Sequence, residues 1–434
     1  MLIAFVLACS SAPLAPTATA VPTPPPAPTA TAVPTPPPAP TATAVPTPPH
    51  APTATPTPTP VPTATPTPTP VPTLTPTPAP TLTCTPRVSP SFISWEDLNE
   101  NIAEVPCVAW EDAQKVLREN SGLSKSTVEL EVKVGPTTAI STGLSSKDQE
   151  ASFNTAIQFW AGFDQPSKFV AYFFNIDDLN WVGNELASYG TAEEQGPYSG
   201  LARAQNRCKV STSSGIREKC SGADAKLMLG SYRSVGVAIF GLNQDSFDLD
   251  YSNVNHQDYI NIHEYTHTVQ TSPWIPRTEH LDPAGGKLIS SPCWLGEGNA
   301  HFTGYAVGAT NYEDYLDVRS KKVENRHSSL PFTDYSTSRI LEYYNNNTIV
   351  TSYEEYMACR ENSDFKLAYT VGFLTIEALS AISGSTSSMY LYKYMGSGKT
   401  FEEAFEIIYG SSWEEAKPIL ASYVSSTINL MFLP

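Results

Sequence analysis

His263-Glu264-Tyr265-Thr266-His267 sets two histidines four residues apart, with a glutamate directly after the first. On an α-helix, residues i and i+4 lie one above the other on the same face, so both imidazoles can reach a single metal ion. Glu264 sits one residue further round, where it can reach a water on the metal rather than the metal itself. The flanks suit a helix. Tyr259, Ile260, Ile262, Tyr265, Thr266 and Val269 supply an apolar side, and neither Gly nor Pro interrupts 257–270. The stretch predicts a metal-binding helix with Zn²⁺ as its ion.

Two histidines cannot hold a catalytic zinc; a third protein ligand is needed, with the fourth position left to water. Downstream, Trp294-Leu295-Gly296-Glu297-Gly298-Asn299-Ala300-His301-Phe302 opens a second predicted helix, and Glu297 is its leading candidate. His301 lies four residues on, on the same face, and either replaces Glu297 or stands behind the ligands. The simpler reading of Glu297 is a helix cap or an ion pair.

The order H-E-x-x-H, then Trp294-x-x-Glu297-Gly298-x-Ala300, resembles the two metal helices of the gluzincin metallopeptidases, in the peptidase MA-like superfamily. Tyr369-Thr370-Val371-Gly372 resembles the Tyr-x-x-Gly of aminopeptidase N-like members. The runs 398–405 and 409–413 are similar to the C-terminal helices of those relatives, so the resemblance spans about 235–424. It implies an α+β fold: a thermolysin-like zincin catalytic domain, with a small mixed sheet and helices followed by a mostly helical lobe. It implies that His263, His267 and Glu297 hold Zn²⁺, which polarises the scissile carbonyl and acidifies water. Glu264 would take the water proton and return it to the leaving amine, and Tyr369 would donate a hydrogen bond to the oxyanion. Tyr369 is also one of 21 tyrosines, and an aromatic on an apolar helix is commonly core.

Three features depart from the family pattern. The segment between His267 and Glu297 is longer than in thermolysin-like or aminopeptidase N-like members. The Gly-x-Met-Glu-Asn strand that anchors a free amine in aminopeptidases is absent; Phe240-Gly241-Leu242-Asn243-Gln244 stands in its place without a carboxylate. No thermolysin-type catalytic histidine is evident. The missing amine anchor points to an endopeptidase acting on a peptide or protein substrate.

Upstream of the metal helix the globular part reads as α/β. A mostly helical stretch is expected over 91–128, with alternating Val128–Val134 as a half-buried strand. Then follow a helix over 148–163, an apolar strand Lys168–Phe174, a helix over 178–187 and a second apolar strand Val235–Leu242. Beyond the metal helix come helices opening at Trp294, over 311–323 and over 365–381. Thr400-Phe401-Glu402-Glu403 and Ser412-Trp413-Glu414-Glu415 are capping boxes for the last two. Residues 91–434 therefore form the catalytic domain, divided into an α/β part at 91–255 and a helical part at 256–434.

The N-terminal part has a different character. Leu2–Ala8 is apolar, and Val6-Leu7-Ala8-Cys9 looks like a bacterial lipobox, so 1–9 is expected to be an export signal with Cys9 as the lipid acceptor. The simpler reading is a frayed apolar terminus. Residues 10–90 repeat Pro, Thr, Ala and Val and hold most of the 40 prolines. Such a chain has few backbone donors and little to bury, so a disordered, extended Pro/Thr-rich stalk is expected. Together these place the protein outside the cell or on a bacterial cell surface, touching the membrane only through the lipid.

No residue before Arg87 is charged, so the net charge of −17 resides on 87–434. That balance disfavours nucleic acid and an anionic membrane surface as partners. A monomer is expected. Seven cysteines fit an oxidising compartment. Cys208 and Cys220 bracket a polar loop and make the best pair; Cys84 with Cys107, and Cys293 with Cys359, follow by elimination. The competing functional reading is a catalytically inactive binding or adhesion module of peptidase-like fold, carried on the same stalk.

Overall fold

A computed structural model describes residues 84, 92–121, 128–190, 200–212, 215–218, 220–228, 230–232, 234–242, 256–275, 291–324, 334–346 and 365–432. The chain divides into two units, 1–77 and 78–434, and all described residues belong to the second. The lipobox and all of the expected stalk but Cys84 lie outside the described residues, as do His280 and His327, which the sequence suggests as surface histidines.

The unit is α+β, with thirteen α-helices and a four-stranded mixed sheet among the described residues. In chain order the elements of the first half are α1 (Val105–Asn120), β1 (Glu129–Val134), α2 (Pro136–Thr142), α3 (Ser146–Phe159), β2 (Lys168–Phe174), α4 (Leu179–Ala187), α5 (Gly200–Asn206), β3 (Lys209–Thr212), β4 (Gly215–Glu218), β5 (Ala223–Leu227) and β6 (Val235–Gly241). The second half is helical among the described residues: α6 (His256–Thr271), α7 (Cys293–Gly308), α8 (Tyr312–Glu324), α9 (Thr337–Asn346), α10 (Phe365–Ser383), α11 (Ser387–Gly396), α12 (Phe401–Tyr409) and α13 (Trp413–Phe432).

The sheet order is β1-β2-β6-β5, with the first three parallel and β5 antiparallel at the edge. After Lys168, β2 is apolar, as is β6 throughout, because both faces are covered. Phe169, Ala171, Phe173, Ala238 and Phe240 face one core, with Phe153 of α3 packed among their rings. The alternate residues Val170, Tyr172, Phe174, Val237 and Ile239 face the other, against Val182 and Leu186 of α4 and Ala204 of α5. α6 joins the first core: Tyr265 sets its ring 4.8 Å from Phe169 and donates to Gln165.

The structure departs from sequence expectation at several points. The helix expected from Ser91 begins only at Val105, after turns. Pro106 lies in its first turn, where a missing N–H costs nothing; further inside, its ring would clash with the preceding turn. The Cys208–Cys220 disulfide is present, and it closes the β3–β4 hairpin rather than an irregular loop. Cys84–Cys107 is also bonded, and Cys293 is in a disulfide whose partner lies outside the described residues. Three linked cysteine sites fit an oxidising compartment.

β5 was not apparent from the sequence. It reads Ala223-Asp224-Ala225-Lys226-Leu227, and its two charges mask the alternation. They are tolerated because Arg203 of α5 donates from Nε and Nη2 to the Asp224 carboxylate and from Nη2 to the Val237 carbonyl. β5, not the 240–244 stretch, is the edge strand packed against α6; β6 lies in the sheet interior.

In the helical half α7 and α10 bring their backbones unusually close. A Cβ on Gly298 would overlap the backbone of Gly372, and one on Gly372 would overlap the Trp294 carbonyl, so α7 and α10 cross glycine on glycine. Trp294 itself is core: it stacks on Trp413 at 5.3 Å between ring centroids. The Thr400–Glu403 capping box forms with both reciprocal bonds, as does the Ser412–Glu415 pair. No single helix among the described residues is long and apolar enough to cross a membrane.

Candidate metal centre

α6 runs uninterrupted through the histidine pair and places both imidazoles on one side. His263 Nε2 and His267 Nε2 lie 3.1 Å apart. α7 crosses α6 closely because Gly304 and Gly308 leave room for the backbone and ring of Tyr259. That crossing sets Glu297 Oε2 at 3.4 Å from His263 Nε2 and 3.5 Å from His267 Nε2. Metal–ligand bonds of about 2.0–2.2 Å in a tetrahedron require ligand atoms about 3.3–3.5 Å apart. The triangle's edges of 3.1, 3.4 and 3.5 Å come close to that size, the histidine–histidine edge being slightly short.

The hydrogen-bond state of these atoms matches. Glu297 Oε2 and His263 Nδ1 are buried without a hydrogen-bond partner among the described residues. His267 Nδ1 faces Gln270 Oε1 at 3.0 Å. The Gln270 amide nitrogen donates to the Gly296 carbonyl and to Asn299 Oδ1, both at 2.9 Å, so its oxygen is the atom turned to the histidine. Asn299 in turn donates to Ser388 Oγ of α11 at 2.6 Å. This chain puts the His267 proton on Nδ1 and leaves the Nε2 lone pair to the metal side. Converging lone pairs in a buried site fit a cation, and the donor set of two imidazoles and a carboxylate fits zinc.

The electrostatics follow from burial and proximity. Burial pushes the Glu264 carboxyl up, partly opposed by the two imidazoles. Burial acts in the same direction on Glu297, but attraction to His267 and His263 outweighs it and holds that carboxyl well below its usual range. Burial would lower His267, and Glu297 raises it instead. Burial, with Lys322 adding to it, keeps His301 well below the usual histidine range, so its ring is neutral.

His301 is buried rather than solvated, its ring 4.3 Å from that of His263. It offers a ligand atom within 4.8 Å of ones from His263 and Glu297, and its Nε2 has no partner among the described residues. The tighter triangle is the one with His267. Tyr369 reaches the site through His301, ring centroids 5.0 Å apart. Gly372 has its own explanation in the helix crossing, so the glycine of Tyr-x-x-Gly reports packing and carries no information about Tyr369 chemistry.

Gln270, Asn299 and Lys322 were missed in the sequence. Gln270 alone carried a signal, since 263, 267 and 270 share one helical face. The other group of possible ligands among the described residues, Cys84, Cys107 and Glu111, offers no thiolate, because the two cysteines are bonded to each other. Comparison of the chain with known protein families, with curated proteins and with solved structures gives no match.

Proposed function

We propose that the protein is a zinc-dependent peptidase of the gluzincin kind, exported and tethered at Cys9 by its Pro/Thr-rich stalk. The observation that carries this reading is the triangle of His263 Nε2, His267 Nε2 and Glu297 Oε2, with edges of 3.1, 3.4 and 3.5 Å. A zinc ion bound there supplies Lewis acidity at a carbonyl oxygen and acidifies water.

The chain's own residues do the rest. Gln270 fixes the His267 tautomer and ring plane. Glu264, buried beside the ligands with a carboxyl raised by that burial, takes a proton from water and delivers it to the leaving amine. Tyr369 donates to the oxyanion. β5 presents an edge beside α6, where an extended peptide can add as a further strand. Its one acid, Asp224, is engaged by Arg203 and does not serve as an amine anchor, which favours internal cleavage.

The test is zinc content together with turnover of an internally quenched peptide, before and after chelation. Glu264→Gln should keep zinc and fold and lose about 10²–10⁴-fold in rate. Equal turnover by wild type and Glu264→Gln would sink the mechanism. A wild type that binds peptide but never cleaves it would instead make this a stalked binding module.

A further inference from the structure

α8 carries two buried cations one turn apart, and they are treated differently. Arg319, 4% exposed, donates from Nε and Nη2 to the carboxylate of Glu377 at 2.7 and 2.8 Å. Lys322 is 6% exposed; no ion pair or hydrogen bond joins it to another described residue, and its Nζ still reaches the surface. Its ammonium lies over the Tyr369 ring, 4.9 Å from the centroid. An aromatic face offsets only part of the cost of removing an ammonium from water, and a buried cation is ordinarily paired.

Its position says what the missing partner is. From Lys322 the side chains run Tyr369, His301, His263, with successive separations of 4.9, 5.0 and 4.3 Å, the last residue being a proposed metal ligand. The nearest acid in that row, Glu297, points its Oε2 at the two histidines.

We propose that Lys322 anchors substrate: it pairs with a carboxylate of the bound peptide, on the His301–Tyr369 side of the metal centre. The carboxylate is the peptide's C-terminus or an acidic side chain, and the anion supplies a pairing that no described residue supplies. This rests on the peptidase reading above and adds a substrate class to it.

The experiment uses the full chain loaded with zinc and three peptides built around one scissile bond. One is neutral with a free C-terminus, one is its amide, and one is the amide with a glutamate beyond the cleaved bond. Wild type should favour a carboxylate peptide over the neutral amide by about 10–100-fold in kcat/KM, the range expected of a buried charge-assisted bond. Preference for the first peptide names the C-terminus; preference for the third names the side chain. Lys322→Met should bring the favoured peptide down to the level of the neutral amide, and Lys322→Arg should restore most of the difference. Equal rates on all three peptides in wild type, or a preference that survives in folded, zinc-loaded Lys322→Met, would overturn the anchor.

Peptide binding by fluorescence anisotropy in the Glu264→Gln background separates the two readings. Carboxylate-dependent binding that Lys322→Met abolishes supports the anchor even if wild type cleaves nothing. Binding indifferent to the carboxylate refutes it whether or not cleavage occurs.

Discussion

Glu297, half-buried with its Oε2 enclosed, and Glu377, fully buried, both face cationic or basic side chains on helices that cross each other, yet their surroundings are built differently. Glu377 of α10, with no exposure, accepts from Arg319 twice and from the hydroxyls of Tyr315 and Tyr423. Every lone pair that burial strips of water is used, and the cluster is closed. Glu297 of α7 has the two histidines at 3.4 and 3.5 Å, longer than an ordinary hydrogen bond, and its Oε2 is left without a donor. His263 Nδ1 and His301 Nε2 nearby are likewise unpaired. Burying polar atoms unpaired costs stability, so a cluster that stays open needs a ligand to complete it. The closed cluster holds α8, α10 and α13 together; the open one is the site at which the peptidase proposal places its metal.

The contrast can be broken at several places. The largest effect is expected from Glu377→Leu, which strands the Arg319 guanidinium in the core and should cost about 3–5 kcal/mol in denaturant unfolding. A loss below about 1 kcal/mol would mean that the closed cluster is solvated on opening and is not the clamp inferred here. Next comes Gln270→Ala, which removes the acceptor for His267 Nδ1. Zinc affinity, read by competition with a chromogenic chelator, should fall about 10–100-fold with the fold retained. Unchanged affinity would show that the crossing of α6 and α7 alone orients the imidazole. The smallest effect is expected from Arg319→Met with Glu377→Leu, since replacing a whole buried ion pair by apolar groups of similar size is often near neutral. That double variant should recover most of the loss of Glu377→Leu while zinc binding stays as in wild type. Loss of zinc in this variant would show that the two clusters are one network.

Much of the site was legible locally. His263 and His267 needed only the helical repeat, and the 257–270 run without Gly or Pro made the helix safe. Glu297 was singled out because a catalytic zinc would need a third ligand, and the fold sets its Oε2 3.4 and 3.5 Å from the two histidines. Lys168–Phe174 and Val235–Gly241 were plain because strands buried on both faces are apolar throughout. β5 was not, since Asp224 and Lys226 interrupt its pattern and their compensation by Arg203 comes from a different element. Lys322 was invisible for a related reason. On α8 it reads as one of several solvated charges, and only the fold brings its ammonium over the Tyr369 ring of α10.

The sequence by itself determined which residue types stand at helical spacing and where helices are capped. These are properties of neighbours along the chain, set by periodicity and backbone sterics. Tertiary structure alone decided how far apart the ligand atoms are, which of Glu297 and His301 completes the tighter triangle, and that Gly298 and Gly372 exist to let two helices touch. It also decided that one buried cation of α8 is paired and the other is not. Those outcomes depend on close packing between segments distant in sequence, where a single Cβ or an unpaired charge shifts the balance, and no local pattern encodes them.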